Sequence, residues 1–107
     1  MTESKINIHI QLREGDRESV LIDSDQGVES IVKALSSSTR REIISILKQE
    51  NASISKIARL TSMTDSNISA QIKILEGSGL VTCDYESGAH GVKKVCGLKY
   101  DSLTISF

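Results

Sequence analysis

The sequence predicts a single domain of the α+β class, on three observations. Polar and apolar residues alternate with a period of two near both chain ends, the mark of strands with one buried face. Through the middle the apolar residues recur at helical spacing, and beyond residue 80 alternation returns around a glycine-containing turn. At 107 residues, with 38% hydrophobic and 25% charged, the chain suits one folded core better than a disordered segment. The boundaries fall as a β-hairpin extension over 1–26, a helical body over 27–79, a second hairpin over 80–100 and a last strand over 101–107.

In the extension, Ile6, Ile8, Ile10 and Leu12 share one strand face, and Asn7, His9 and Gln11 the other. The charged turn REGDRE around Gly15 leads to a second short strand over 19–23, where Val20 and Ile22 fall on one face. Leu103, Ile105 and Phe107 alternate with Thr104 and Ser106 in the same way. A lone two-stranded hairpin is marginal in water, so this last strand is expected to join it, or a partner to cover it.

The helical body begins with Val28, Ile31, Val32 and Leu35 at i, i+3, i+4 and i+7. Three serines at 36–38 interrupt it. Thr39 and Glu42 have capping-box spacing, which satisfies free N–H groups at a helix start. The second helix so opened buries Ile43, Ile44, Ile46 and Leu47 and ends near Asn51. A short third helix over 55–60 offers Ile57, Ala58 and Leu60 to the core. Thr64 caps a fourth, which buries Ile68, Ile72 and Leu75 and stops at Gly77-Ser78-Gly79, where glycine takes the left-handed conformation. LVTCDYE and VKKVCGLKY then pair around SGAHG. With the turn near residues 88–90, Val81, Cys83 and Tyr85 lie opposite Leu98, Cys96 and Lys94, and a mainly apolar face points inward.

Composition excludes several functions. No apolar run approaches the roughly 18 residues of a membrane helix. The opening MTESKINIHIQLREG lacks the apolar stretch of a signal peptide, so the expected location is the cytoplasm, with no membrane partner. There is no nucleophile–base–orienter set, phosphate-binding glycine loop or dinucleotide fingerprint, and an enzyme is not expected. The net charge of -1 divides unevenly: residues 1–26 carry three positive and six negative charges, residues 27–100 ten positive and seven negative. A mildly basic body thus follows an acidic extension, which permits nucleic-acid binding without demanding it.

Helices followed by a two-stranded hairpin form the order of a winged helix-turn-helix, here with four helices, a wing and extra N- and C-terminal strands. KALSSSTRREIISIL resembles the opening of ArsR-type transcriptional regulators, in which a Thr-Arg pair (Thr39-Arg40) starts the second helix. ISKIARLTSMTDSNISAQIKILEGSGLV is similar to that family's helix-turn-helix, with a Leu-Ala-like pair at Ile57-Ala58 and a Leu-Glu-x-x-Gly-Leu-Val ending. The resemblance spans roughly residues 30–85 and implies a double-stranded-DNA-binding regulator, a repressor acting as a homodimer. A winged-helix protein–protein interaction module in a transcription or assembly complex is the second reading, favoured by the near-neutral charge and three amphipathic strands.

On the first reading the fourth helix lies in the major groove. With its stripe buried, it presents Thr64, Asp65, Ser66, Asn67, Ser69, Ala70, Gln71 and Lys73. Asn and Gln pair bidentately with adenine, Ser donates or accepts at several bases, and the first-turn N–H groups suit a phosphate. Asp65 either holds the helix start through its dipole or accepts from cytosine. Lys56 and Arg59, on the helix crossing the backbone, are the phosphate candidates, while Arg40 is a candidate for pairing with an acid inside the fold. His90, Lys93 and Lys94 are the wing candidates, although hairpin lysines also serve simply to protect edges.

Metal-sensing relatives gather Cys, His and carboxylate ligands in motifs that this chain lacks, and no metal or cofactor is expected. Cys83 and Cys96 admit three readings: buried small hydrophobes, a redox-responsive pair, or soft-metal binding with a partner's ligands. ArsR-type dimers pair through terminal helices, but the tail DSLTISF is short and alternating. Self-association is therefore expected to use the helix over 28–35 with the strands over 6–12 and 103–107.

Overall fold

The computed structural model describes residues 8–107. Ile6 and Asn7, assigned to the first strand, lie outside them. The elements are β1 (His9–Arg13), β2 (Val20–Ile22), α1 (Asp25–Leu35), α2 (Ser38–Gln49), β3 (Ala52–Ser53), α3 (Ile54–Thr61), α4 (Asp65–Gly77), β4 (Val81–Gly88), β5 (Gly91–Leu98) and β6 (Ser102–Ser106). Two antiparallel sheets form, in the orders β2-β1-β6 and β3-β5-β4. The last strand does join the N-terminal hairpin, on the far side of β1 from β2.

In the first sheet Ile10 stands between Ile22 and Ile105, and Leu12 between Val20 and Leu103, so one face is aliphatic throughout. Ile10 and Leu12 on the central strand are buried, whereas Val20 and Ile105 on the flanking strands remain exposed. Asp101 fastens the hairpin turn to the start of β6: its N–H donates to Arg13 O at 2.9 Å, and its carboxylate accepts from Gly15 N at 3.0 Å. Gly27 brings β2 against α1, since a Cβ there would come within 2.8 Å of both Ile22 Cγ2 and Ser24 Oγ.

Capping moves two helix starts from their expected places. Ser24 Oγ accepts from Gly27 N at 3.1 Å, so α1 begins at Asp25 rather than at Gly27. Ser37 Oγ accepts from Arg40 N at 3.3 Å, and Thr39 lies inside the first turn of α2 instead of capping it. In a run of serines the hydroxyl that caps is chosen by where the neighbouring helix ends, which spacing within the run does not reveal. The core stripes are likewise narrower than the apolar pattern. That of α1 centres on Ile31 and Ala34, which rotates Val32 outward to 51% exposure. Ile57 and Ala58 set that of α3 and leave Leu60 54% exposed. In α2 it runs through Arg40, Ile43 and Leu47, and Ile44 and Ile46 flank it half-buried.

Arg40 is the one buried charged residue in the described core. It does not meet an acid, contrary to expectation. Its guanidinium donates to Ala34 O at 3.0 Å, Lys33 O at 2.8 Å, Ser36 Oγ at 3.4 Å and Gln71 Oε1 at 2.8 Å. The two carbonyls belong to the last turn of α1, where unpaired C=O groups carry partial negative charge, and they take the place of a carboxylate. Arg40 thus joins α1, α2 and α4.

The wing has the expected register, with Val81 opposite Leu98, Cys83 opposite Cys96 and Tyr85 opposite Lys94. The Cys83 and Cys96 sulfurs are joined in a disulfide across the wing. The inward face ends sooner than alternation suggests: Cys96 is wholly buried, but Tyr85 is 74% exposed, because the hairpin runs on past the helices. The sequence carries no periodic signal for strand β3. Two residues are too few to show a period, and Ala52 and Ser53 become a strand only by pairing with Cys96 and Val95.

Two stability predictions follow from these contacts. Arg40→Ala deprives the buried Ala34 carbonyl of this donor and unlinks Gln71, and should lower the unfolding free energy by about 2–3 kcal/mol in urea titrations, with Arg40→Lys recovering less than half. A loss under about 1 kcal/mol would contradict the three-helix junction. Ser62 ends α3 at φ 57, where a Cβ is unfavourable, so Ser62→Gly should raise stability by about 0.5–1 kcal/mol. A decrease in melting temperature would show that the serine side chain is needed there.

Candidate nucleic-acid interface

The unit α3–turn–α4 is built from local hydrogen bonds. Ser53, still paired in β3, caps α3 by accepting from Lys56 N at 3.2 Å, so the base of the wing runs directly into the helix. After the left-handed Ser62, Met63 N donates to Ala58 O at 2.9 Å and closes the turn. Thr64 Oγ1 then accepts from Asn67 N at 3.1 Å and opens α4, as its position before the apolar stripe implied. Ile68, Ile72 and Leu75 are fully buried, which fixes the rotation of α4 about its axis. Gly79, at φ 83, turns the chain out of α4 toward the wing.

That rotation leaves Ser66, Ala70, Lys73 and Gly77 exposed at i, i+4, i+7 and i+11, one continuous ridge along the helix. Asn67 is exposed beside it, and Thr64 and Asp65 are exposed at its start. Ser69 and Gln71 are half-buried at the flanks. Small side chains along the ridge let another molecule approach the helix backbone closely.

Several expected contact residues have partners within the chain. Gln71 uses both ends of its amide: Oε1 accepts from Arg40, and Nε2 donates to Asn67 Oδ1 at 3.1 Å. Its bidentate geometry is therefore spent on holding α4 rather than left open for adenine. Asn67 passes the link on, its Nδ2 lying 3.6 Å from Met63 Sδ. Asp65 accepts from Ser55 Oγ at 3.0 Å, which braces α4 against α3 and gives an acidic residue a structural reason to be there.

The cations divide in the same way. Lys56 is ion-paired with Glu50, and the hydrogen bond and charge of Lys56 hold the Glu50 carboxyl below the usual carboxylate range. Lys94 is half-buried and pairs with Glu76 at 2.7 Å, tying β5 to the last turns of α4. Arg59 and Lys73 stay exposed with no ion pair among the described residues, as do Lys93 and His90 on the wing. Lys93 stands opposite Glu86 in the register, so its charge is offset across the strands.

Two residues missed as site candidates are Tyr85 and Val92, which are 74% and 67% exposed. They lie diagonally across the wing on the face shared by Cys83 and Cys96. Their signal in the sequence is the alternation along the wing, which marks a face without saying where burial of that face ends. Beyond the end of the core this pair is exposed apolar surface.

Residues 37–82 match the family model described as the bacterial regulatory protein, arsR family; that segment runs from the cap of α2 to the second residue of β4. No curated protein sequence matches the chain. Among solved structures, an ArsR family transcriptional regulator is 26% identical with a TM-score of 0.59, over 68% of this chain and 76% of that one. The homodimeric winged helix-turn-helix DNA-binding domain of a possible ArsR-family regulator from Mycobacterium bovis is 26% identical with a TM-score of 0.62, over 71% and 72%. Reduced HlyU from Vibrio cholerae, at 19% identity and a TM-score of 0.59 over 68% and 73%, shares the fold. The proteins that this chain resembles are regulators and not enzymes. Residues 37–82 match the arsR family model, and the chain has the winged helix-turn-helix fold of the regulators that it resembles.

Proposed function

We propose that this protein is a cytoplasmic, sequence-specific repressor that binds double-stranded DNA as a homodimer. The observation that carries this is the ridge of Ser66, Ala70, Lys73 and Gly77, held outward by a fully buried isoleucine and leucine stripe. A helix with such a face enters the major groove, where backbone and small polar groups reach base edges and Lys73 meets a phosphate. Ser66, Ser69 and Ala70 are the base-facing residues of this reading, and Asn67 beside them shares its amide with Gln71 and Met63. Thr64, Arg59 and the wing residues His90 and Lys93 serve the phosphate backbone. Gln71, Asp65 and Lys94 act indirectly, by fixing α4 and the wing. Two copies would read half-sites about 34–36 Å apart and repress by occupying promoter DNA.

The cancellation of Lys56 by Glu50 and of Lys94 by Glu76 favours the second reading, a protein–protein interaction module. Fluorescence anisotropy separates the two. A DNA regulator should bind a fragment from upstream of its own gene at least about 1,000-fold more tightly than unrelated duplex at moderate salt. Equal affinity for all duplexes would remove sequence specificity, and no duplex affinity even at low salt would favour the protein-binding module.

Salt titration tests the division of the cations. Lys73→Ala should flatten the dependence of log K on log salt by about 0.9, one phosphate contact. Lys94→Ala should leave that slope unchanged while lowering the melting temperature, since its partner is Glu76. The reverse pattern would exchange their roles.

A further inference from the structure

Sheet edges are where chains join, and the described edges are unequal. Strand β4 carries Asp84 and Glu86, β3 has two residues, and β2 has three between Glu18 and Asp23. Charge and brevity both discourage pairing with another strand. Strand β6 has neither protection: it is five residues long, uncharged from Ser102 to Ser106, and bonded to β1 on one side only. Its sequence, SLTIS, reads chemically the same in both directions about Thr104, with a hydroxyl, an aliphatic, a hydroxyl, an aliphatic and a hydroxyl. An antiparallel strand that is its own complement is what a two-fold axis requires.

We propose that β6 pairs antiparallel with β6 of a second copy, with the two-fold axis at Thr104, so that two three-stranded sheets become one six-stranded sheet. This rests on the homodimer proposed above and supplies its interface. The faces require the axis to pass through a residue, and Thr104 is the position that pairs all five residues of β6. Centred on Thr104, Leu103 stands opposite the partner's Ile105, and Ser102 opposite the partner's Ser106. Each aliphatic row then crosses the whole sheet: Val20, Leu12 and Leu103 from one copy continue into Ile105, Ile10 and Ile22 of the other. A slip of one residue would set hydroxyls against aliphatics, and a slip of two about Leu103 would place Asp101 opposite Ile105. The absence of charge in the strand lets two identical edges meet without repulsion. It also explains why Ile105 is left 45% exposed in the single chain, since the partner's Leu103 would flank it.

Two substitutions test the interface in the full-length protein. Opposed residues across antiparallel strands have Cα atoms about 4.5–5.5 Å apart, within disulfide reach, and the two native cysteines are already bonded to each other. Thr104→Cys should therefore give a covalent dimer under mild oxidation, seen on non-reducing gels. Gln11→Cys, on the same sheet face but on the central strand, should not. Ile105→Lys places a charge on an already exposed edge and should raise the dimer dissociation constant by at least about tenfold in sedimentation equilibrium, with an unchanged circular dichroism spectrum. A dimeric wild type whose Thr104→Cys variant does not cross-link, or whose Ile105→Lys variant keeps its full dimer affinity, overturns this interface and leaves DNA binding by a dimer intact. A wild type that is monomeric at every concentration overturns the interface and the homodimer together, and open-ended assemblies larger than a dimer would implicate the β2 edge instead.

Discussion

A single buried guanidinium sets the geometry of this protein. Arg40 leaves water without a carboxylate to meet it, and its desolvation is offset by the carbonyls at the end of α1 and the amide of Gln71. The connection between α1 and α2 is two residues, Ser36 and Ser37, and both take part in the same cluster: Ser36 Oγ accepts from Arg40, and Ser37 caps α2 at the Arg40 N–H. From Gln71 the chain of hydrogen bonds continues to Asn67 and then reaches Met63, in the turn before α4. The helix that presents the exposed ridge is therefore held from behind by the junction of α1 and α2.

This arrangement separates the residues that hold the surface from those that form it. Polar side chains that read as contact residues in sequence, Gln71 and Asp65 above all, are consumed in bracing α4 against Arg40 and Ser55. The ridge is left with small side chains and one lysine. Lys56 and Lys94 undergo the same reassignment, the first to Glu50 and the second to Glu76. On the proposed DNA-binding reading, fewer free cations mean a weaker sequence-independent attraction to phosphate, and discrimination would depend more on fit at the ridge than on charge. The wing is positioned by similar economy: β3 ties it to the cap of α3, the Cys83–Cys96 disulfide closes its base, and Lys94 ties it to α4.

The terminal sheet is a separate device attached to this body. Gly27 allows β2 to lie against α1, and Asp101 joins the two ends of the chain across β1. It lies outside residues 37–82, the segment that matches the arsR family model.

Periodicity by itself determined the elements that bury a continuous face: the strand pair around Gly15, the last strand, the Thr64-capped α4 with Ile68, Ile72 and Leu75, and the wing register from Val81 to Leu98. These are legible because burial on one side imposes a period that neighbours along the chain must obey. Tertiary structure alone decided which hydroxyl among three serines caps α2, which polar groups on α4 are spent on internal partners, and that Ala52 and Ser53 form a strand. It also decided where the inward face of the wing ends, and so that Tyr85 is exposed. The polar groups spent internally depend on partners distant in sequence, Arg40 on Gln71 or Lys94 on Glu76, and a hydrogen bond between two such groups leaves no periodic trace in either segment.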